Sequence, residues 1–205
     1  MVRVKVYVEG GGDTRALQAN CRRGFREFFD KSGFAGIMPS VSACGGRKTA
    51  YEDFCTALSC AQSDEVPVLL VDSEGPVPPR TNPWNYLRTR RGDEWPRPDG
   101  ATDEQAHLMV QCMETWFMAD KEALISHYNQ HFRESALPAR NDIEEIPKPD
   151  ILDGLKNATR QTQKREYSKG GHSFDILAKI DPQKVTERSF HARKLIDALH
   201  SILDR

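Results

Sequence analysis

The sequence lacks the long apolar run that a membrane span requires. No segment approaches roughly 20 consecutive apolar residues, and the chain starts with a strand-like alternation instead of the apolar centre of a signal peptide. Of its 205 residues, 38% are hydrophobic, which is enough for one packed core. We therefore expect a cytoplasmic protein without a membrane-spanning segment.

Cysteine is scarce, and no charge of one sign is in excess. The 5 cysteines are odd in number and form no Cys-x-x-Cys pair, which argues against a disulfide framework and against a zinc site. The formal net charge of -1 does not by itself indicate a nucleic-acid-binding protein. A basic patch can nevertheless lie within a neutral total.

Strand and helix patterns alternate along the first part of the chain. Strands are predicted at 2–8, 37–44, 66–71 and 107–112, with helices between the first three and a further helix at 114–128. The third strand is almost continuously apolar, which is typical of a strand covered on both faces of a parallel sheet. The pattern predicts a Rossmann-like α/β fold, a mostly parallel sheet flanked by helices.

Two proline-bearing segments interrupt this alternation. Residues 73–103 are rich in proline and arginine and are expected to form a long loop, and residues 136–150 read as a polar linker. Short helices follow, predicted at 151–162, 174–180, 182–187 and 190–203. We therefore expect an α/β domain over 1–135, with a linker and a C-terminal helical annex over 136–205 packed on the same domain.

Acidic residues follow two of the predicted strands. Glu9 follows the first, and Asp72 and Glu74 follow the third. Sites in open α/β sheets lie outside the carboxyl ends of the strands, and carboxylates brought together repel unless a cation lies between them. Such oxygen ligands suit Mg²⁺ or Mn²⁺. Glu114, just past the fourth strand, is a candidate to support the same ion.

Each of these acids has a simpler interpretation. Acidic residues after strands often cap helices or lie in solvated loops, and this role is preferred for Asp120, which precedes a predicted helical turn. The Gly10-Gly11-Gly12 turn lacks both the lysine of a P-loop and the spacing of a dinucleotide fingerprint. We therefore expect its backbone to pass close to a metal or a phosphate, and expect no nucleotide cofactor.

The residues around these acids resemble the Toprim domain of topoisomerases, primases and OLD-type nucleases. The resemblance is carried by residues 4–10, VKVYVEG, and by residues 68–74, VLLVDSE, although Glu74 stands where the Toprim pattern has Asp. A closer resemblance, to a Toprim-like family of domains of unknown function often encoded beside ATPases, is carried by residues 6–10, 111–120, 167–169 and 174–182.

The resemblance implies a Mg²⁺- or Mn²⁺-dependent nuclease, or a degenerate relative of one. It implies catalytic roles for Glu9, Asp72 and Glu74, and a lysine that stabilises the phosphate in the transition state, for which Lys169 is the candidate. It also implies an ATPase partner and a role in antiphage defence. The alternatives are a non-catalytic module that binds an ATPase or a nucleotide, and a phosphatase acting on small substrates. For Lys169 a solvated surface charge is the simpler interpretation.

The segment 73–103 is the candidate nucleic-acid contact. It interleaves arginines with Trp84, Tyr86 and Trp95, a mixture that suits phosphate contact and base stacking. Solvated loop charge is the alternative. The arginines predicted to bind DNA or RNA are Arg80, Arg88, Arg90 and Arg91.

Overall fold

Four parallel strands form the centre of the protein, whose residues 2–204 are described by a computed structural model. Strands β1 (Arg3–Val8), β2 (Ser40–Ala43), β3 (Glu65–Asp72) and β4 (Ala106–Met109) pair in the order β2-β1-β3-β4. Every pairing between them is parallel. The predicted α/β class with a sheet flanked by helices is confirmed.

Helices cover both faces of this sheet. Helix α1 (Arg15–Phe29) packs against β2, and α2 (Arg47–Cys60) packs against β3 and β1. Alternate residues of β3 enter different cores: Val68 and Leu70 pack on one side, whereas Leu69 and Val71 pack on the other. This double burial explains why the β3 sequence is continuously apolar.

Most of the segment 73–103 is loop, as expected, but one helix interrupts it. Helix α3 (Pro83–Thr89) begins at a proline, and the Asn82 side chain caps it by accepting hydrogen bonds from the backbone N–H groups of the first turn. Trp84 is buried and donates its indole N–H to the Thr102 carbonyl at 2.9 Å.

The predicted helix 114–128 is broken in two. A 3₁₀ segment (Met113–Ala119) precedes helix α4 (Lys121–Tyr128). Asp120 separates them because its side chain accepts a hydrogen bond from Ala123 N at 3.4 Å, as a helix cap does. The same side chain accepts from Asp181 N at 2.9 Å. The capping role predicted for Asp120 is therefore confirmed.

Four C-terminal helices follow, and two of them pack directly on the sheet or on its covering helix α1. They are α5 (Lys148–Thr159), α6 (Ser173–Leu177), α7 (Pro182–Arg188) and α8 (Phe190–Leu203). Helix α6 packs against α1, and α8 packs against β4 and β1. The segment 136–150 also differs from a plain linker, because it buries side chains and already contains the first turn of α5. Within residues 2–204, none of the helices combines the length and the apolar character that a membrane span requires.

Candidate metal centre

The three acids predicted after the strands meet at one edge of the sheet. Glu9 directly follows β1, Asp72 ends β3, and one carboxylate oxygen from each of Glu9, Asp72 and Glu74 lies within 4.8 Å of the others. Glu9 Oε2 also accepts a hydrogen bond from Asp72 N at 3.1 Å. The parallel pairing of β1 and β3 produces this grouping, because both carboxyl ends reach the same edge.

Asp72 is the most deeply buried of the three, with 2% of the residue exposed. Its Oδ1 accepts a hydrogen bond from Met113 N at 2.9 Å. Its Oδ2 lies 3.3 Å from Lys169 Nζ and 3.5 Å from Lys148 Nζ. Burial, together with the nearby carboxylates, raises the pKa of Asp72 to about 7, although the two lysines oppose this shift.

Glu9 is held by an arginine that the sequence analysis did not single out. Arg47, the first residue of α2, places its guanidinium 3.2 Å from Glu9 Oε2 and 2.6 Å from Asp93 Oδ2, and also donates to the Asp72 carbonyl. Burial raises the pKa of Glu9, and Arg47 only partly offsets it. A signal was present, because Arg47 follows the end of β2 after only three residues, Cys44-Gly45-Gly46, and so lies near the same sheet edge.

Glu114 is fully buried beside this group. Its Oε1 accepts a hydrogen bond from Tyr167 Oη at 2.8 Å, and burial next to this carboxylate raises the pKa of Tyr167 well above its usual value. Its Oε2 has no hydrogen-bond partner among residues 2–204 and lies 3.8 Å from Lys169 Nζ. Glu114 thus reaches the site through Lys169.

Two lysines of the C-terminal part complete the centre. Lys169, predicted from the resemblance, bridges Asp72 and Glu114. Lys148, which was not predicted, places Nζ 2.7 Å from both carboxylate oxygens of Glu74. Burial alone would lower the pKa of Lys148, but the carboxylates of Asp72 and Glu74 raise it, so the side chain is an ammonium. No local sequence pattern marked Lys148, which lies 76 residues from Asp72.

The centre opens into a cleft of about 270 Å³ beside the glycine turn. Glu9, Asp72 and Lys169 line it together with Gly10, Gly11 and Gly12. Gly11 has a φ of 92°, and a Cβ there would lie 3.0 Å from Ala43 Cβ. The turn therefore requires a bare backbone next to the acids, and Thr14 caps α1 directly after it.

A family model described as Domain of unknown function (DUF4276) matches residues 8–200, a span that contains every acid and cation of this centre. The chain belongs to the DUF4276 family. No curated protein and no solved structure matches it. Because the family description assigns no chemistry, the function of this DUF4276 chain has to be inferred from the geometry.

The arginine-bearing segment of the DUF4276 chain, residues 73–103, borders the centre. One of its four predicted arginines belongs to the ion-pair network of the centre, and two of its aromatic residues are buried. Tyr86 Oη donates to the Ser73 carbonyl at 2.7 Å, next to the acids. Arg90 pairs with Asp93 at 3.0 Å and so belongs to the network that holds Arg47, whereas the other three predicted arginines are exposed. The prediction of base stacking was wrong for Trp84 and Trp95, because both are buried.

The donor set fits a divalent cation. Four carboxylates, those of Glu9, Asp72, Glu74 and Glu114, face three cations, and one of these, Arg47, is shared with Asp93. The acids therefore outnumber the cations that neutralise them, and Glu114 Oε2 is a buried oxygen without a donor. Clustered carboxylate oxygens are ligands that Mg²⁺ and Mn²⁺ prefer.

Proposed function

We propose that this DUF4276 protein is a Mg²⁺- or Mn²⁺-dependent nuclease that hydrolyses phosphodiester bonds of DNA or RNA. The observation that carries the proposal is the grouping of the Glu9, Asp72 and Glu74 carboxylates within 4.8 Å at the carboxyl ends of parallel strands. A divalent ion held there would activate water and neutralise charge that develops on a phosphate.

The side chains around the acids suit the same chemistry. Lys169 lines the cleft and has 53% of its side chain exposed, so its ammonium is accessible to a phosphate oxygen while Asp72 and Glu114 hold it in place. Tyr167 orients Glu114 by donating a hydrogen bond to it. The exposed Arg80, Arg88 and Arg91 lie on the segment that leaves β3 and would contact a nucleic-acid backbone.

The resemblance to Toprim nucleases supports the proposal and extends it. The segments that carry the resemblance contain the acids at the ends of β1 and β3 and the lysine of the Tyr167-Ser168-Lys169 motif. On this basis we propose a role in antiphage defence together with an ATPase partner, and from the lack of a signal-peptide pattern we propose a cytoplasmic location. A rearrangement of the C-terminal helices by such a partner would act directly on Lys148 and Lys169.

A specific observation also favours a non-catalytic module. Each acid of the cluster already pairs with a cation of the chain: Glu9 with Arg47, Glu74 with Lys148, and Asp72 with Lys169. Such internal pairing would keep the fold stable without a metal. The two functions differ in one measurable property, since only the enzyme requires Mg²⁺ or Mn²⁺ for turnover.

The deciding experiment incubates the pure protein with plasmid DNA, single-stranded DNA and tRNA in Mg²⁺, Mn²⁺ or EDTA, with and without a candidate ATPase partner. The matched control is Asp72→Asn, which keeps an oxygen to accept from Met113 N. We expect metal-dependent cleavage that falls at least about 100-fold in this variant, since changing even an outer partner of a metal ligand costs about 10- to 100-fold.

Two results would redirect the proposal. Cleavage that persists unchanged in Asp72→Asn or in EDTA would exclude a metal-dependent site at this position. Turnover of p-nitrophenyl phosphate or a nucleoside triphosphate, without cleavage of any polymer, would instead favour a phosphatase, for which the small size of the cleft, about 270 Å³, would be sufficient.

A further inference from the structure

The acidic cluster is asymmetric, with one side filled and the other open. The cleft of about 270 Å³ is lined by Glu9 and Asp72, and neither Glu74 nor Lys148 is part of its lining. On the far side, Lys148 Nζ lies 2.7 Å from each carboxylate oxygen of Glu74 and 3.5 Å from Asp72 Oδ2. Both oxygens of Glu74 therefore already contact a cation that the chain itself supplies.

The position of Lys148 is fixed by its backbone. It is the first residue of α5, and its N–H donates to Gln111 Oε1 at 3.2 Å, while Gln111 Nε2 donates to the Glu144 carbonyl at 3.2 Å. Only 19% of the Lys148 side chain is exposed. The Lys148 ammonium therefore differs from a solvated surface charge, because both its backbone N–H and its Nζ have fixed partners.

Glu74 is held in an unusual conformation by the same glutamine. Its φ is 64°, in the left-handed region that residues other than glycine rarely adopt, and its N–H donates to the Gln111 carbonyl at 2.9 Å. A non-glycine residue persists in this region only when its surroundings impose it. Gln111 thus fixes both members of the Glu74–Lys148 pair, independently of the contact between them.

We propose that Lys148 is a built-in cation of the centre, so that the site binds a single divalent ion between Glu9 and Asp72. Glu74 then anchors the Lys148 ammonium and does not ligate the metal. This inference rests on the proposed metal-dependent function, and it revises the predicted role of Glu74 within that function.

The test measures the number of Mn²⁺ ions bound per chain, by calorimetry and by the electron paramagnetic resonance signal of free Mn²⁺. The wild-type chain should bind about one ion, and Lys148→Met, which frees Glu74, should bind about two. Lys156→Met is the matched control, because Lys156 lies on the same helix with 49% of its side chain exposed. It should bind one ion, as the wild-type chain does.

A double variant removes the pair without changing the net charge. In Lys148→Met/Glu74→Gln the second ion should be lost again, and the affinity for the first should stay within about tenfold of the wild-type value. If Glu74 were a direct ligand of the single ion, this variant would lose about tenfold or more. Thermal melting of the double variant establishes that it is folded, so the test does not depend on the single variant.

The outcomes separate this inference from the function beneath it. A wild-type chain that binds two ions, a Lys148→Met chain that still binds one, or a weakened double variant would overturn the role of Lys148. Each of those results would leave a metal-dependent enzyme in place. A wild-type chain that binds no Mn²⁺ at all would overturn the proposed function itself.

Discussion

Two acids of the candidate centre, Glu9 and Asp72, come from the ends of strands, whereas its two lysines come from the C-terminal part of the chain. Glu9 and Asp72 lie at the ends of β1 and β3, where parallel pairing alone brings them together. Lys148 and Lys169 belong to segments that reach the sheet edge only when the C-terminal part packs on it. Glu9 and Asp72 are therefore brought together by the topology of the sheet, and Lys148 and Lys169 are added by tertiary packing.

The largest effect, on nuclease turnover, should follow from removing a cation that the C-terminal part contributes. Lys169→Met should lower nuclease turnover about 10- to 100-fold, less than the roughly 100- to 1,000-fold of a water-excluded donor, because half of the side chain is exposed. Mn²⁺ affinity should be kept or should rise, since a positive charge leaves the site.

Metal affinity and turnover should thus move independently in this variant. Lys164→Met, an exposed lysine of the same part of the chain, serves as control and should change neither quantity. Equal turnover for Lys169→Met and the control would reduce Lys169 to a surface charge and leave the helical part without a role in the chemistry.

A smaller effect, on stability, is expected where the helical part holds a sheet-side acid. Tyr167→Phe removes the only hydrogen bond that the structure gives to the Glu114 side chain within residues 2–204. A buried acceptor that loses its donor costs about 1–3 kcal/mol, which corresponds to a melting temperature lower by roughly 2–12 °C for a chain of this size.

The matched control for that measurement is Tyr128→Phe. Tyr128 is also buried, but its hydroxyl lies 3.2 Å from His172 Nδ1, an imidazole whose pKa burial lowers, so its partner is neutral. Its loss should cost less. A Tyr128→Phe chain that melts at or below the Tyr167→Phe chain would show that Glu114 does not need the tyrosine.

The stability of the metal-free chain should depend on pH through Asp72, the carboxyl group whose ionisation the folded state opposes. The pKa of Asp72 is raised from 3.8 to about 7 in the folded chain, so between these values the folded state retains a proton that the unfolded state releases. The contribution of Asp72 is therefore fully favourable below about pH 4 and is lost as the pH rises towards 7.

In the Asp72→Asn variant, the side chain at position 72 cannot ionise at any pH. The melting temperature of the wild-type chain in EDTA, relative to this variant, should fall between pH 4.5 and pH 7.5, and Mn²⁺ should reverse the fall. A constant difference across that range would mean that Asp72 is ionised throughout and that the lysines already neutralise it.

The smallest effect is expected from the surface arginines of the sheet part. Replacing Arg88 and Arg91 together by alanine should weaken binding of single-stranded DNA to the Asp72→Asn protein and reduce the salt dependence of binding by about 1–2 in slope. Arg22→Ala/Arg26→Ala, which changes two exposed arginines of α1, is the control. A larger reduction in that control would place the nucleic-acid contact on α1.

The sequence predicted the acids because they follow strands directly, a local pattern that parallel pairing converts into proximity. It could not predict Lys148, since only the packing of α5 brings that residue to Glu74. The proline content of 73–103 suggested a loop, yet Pro83 starts α3 and Trp84 is buried, because tertiary burial overrides composition. Lys169 was identified by resemblance and not by spacing.

The most direct test of the proposed centre is a calorimetric titration with Mn²⁺ at pH 7.5 of three chains: the wild type, Glu9→Gln and Asp72→Asn. The structure groups both acids around the open cleft, so we expect binding to the wild-type chain and a loss of at least about tenfold in affinity for each variant. Equal affinity in all three chains, or no binding to any of them, would contradict a metal site at the ends of β1 and β3.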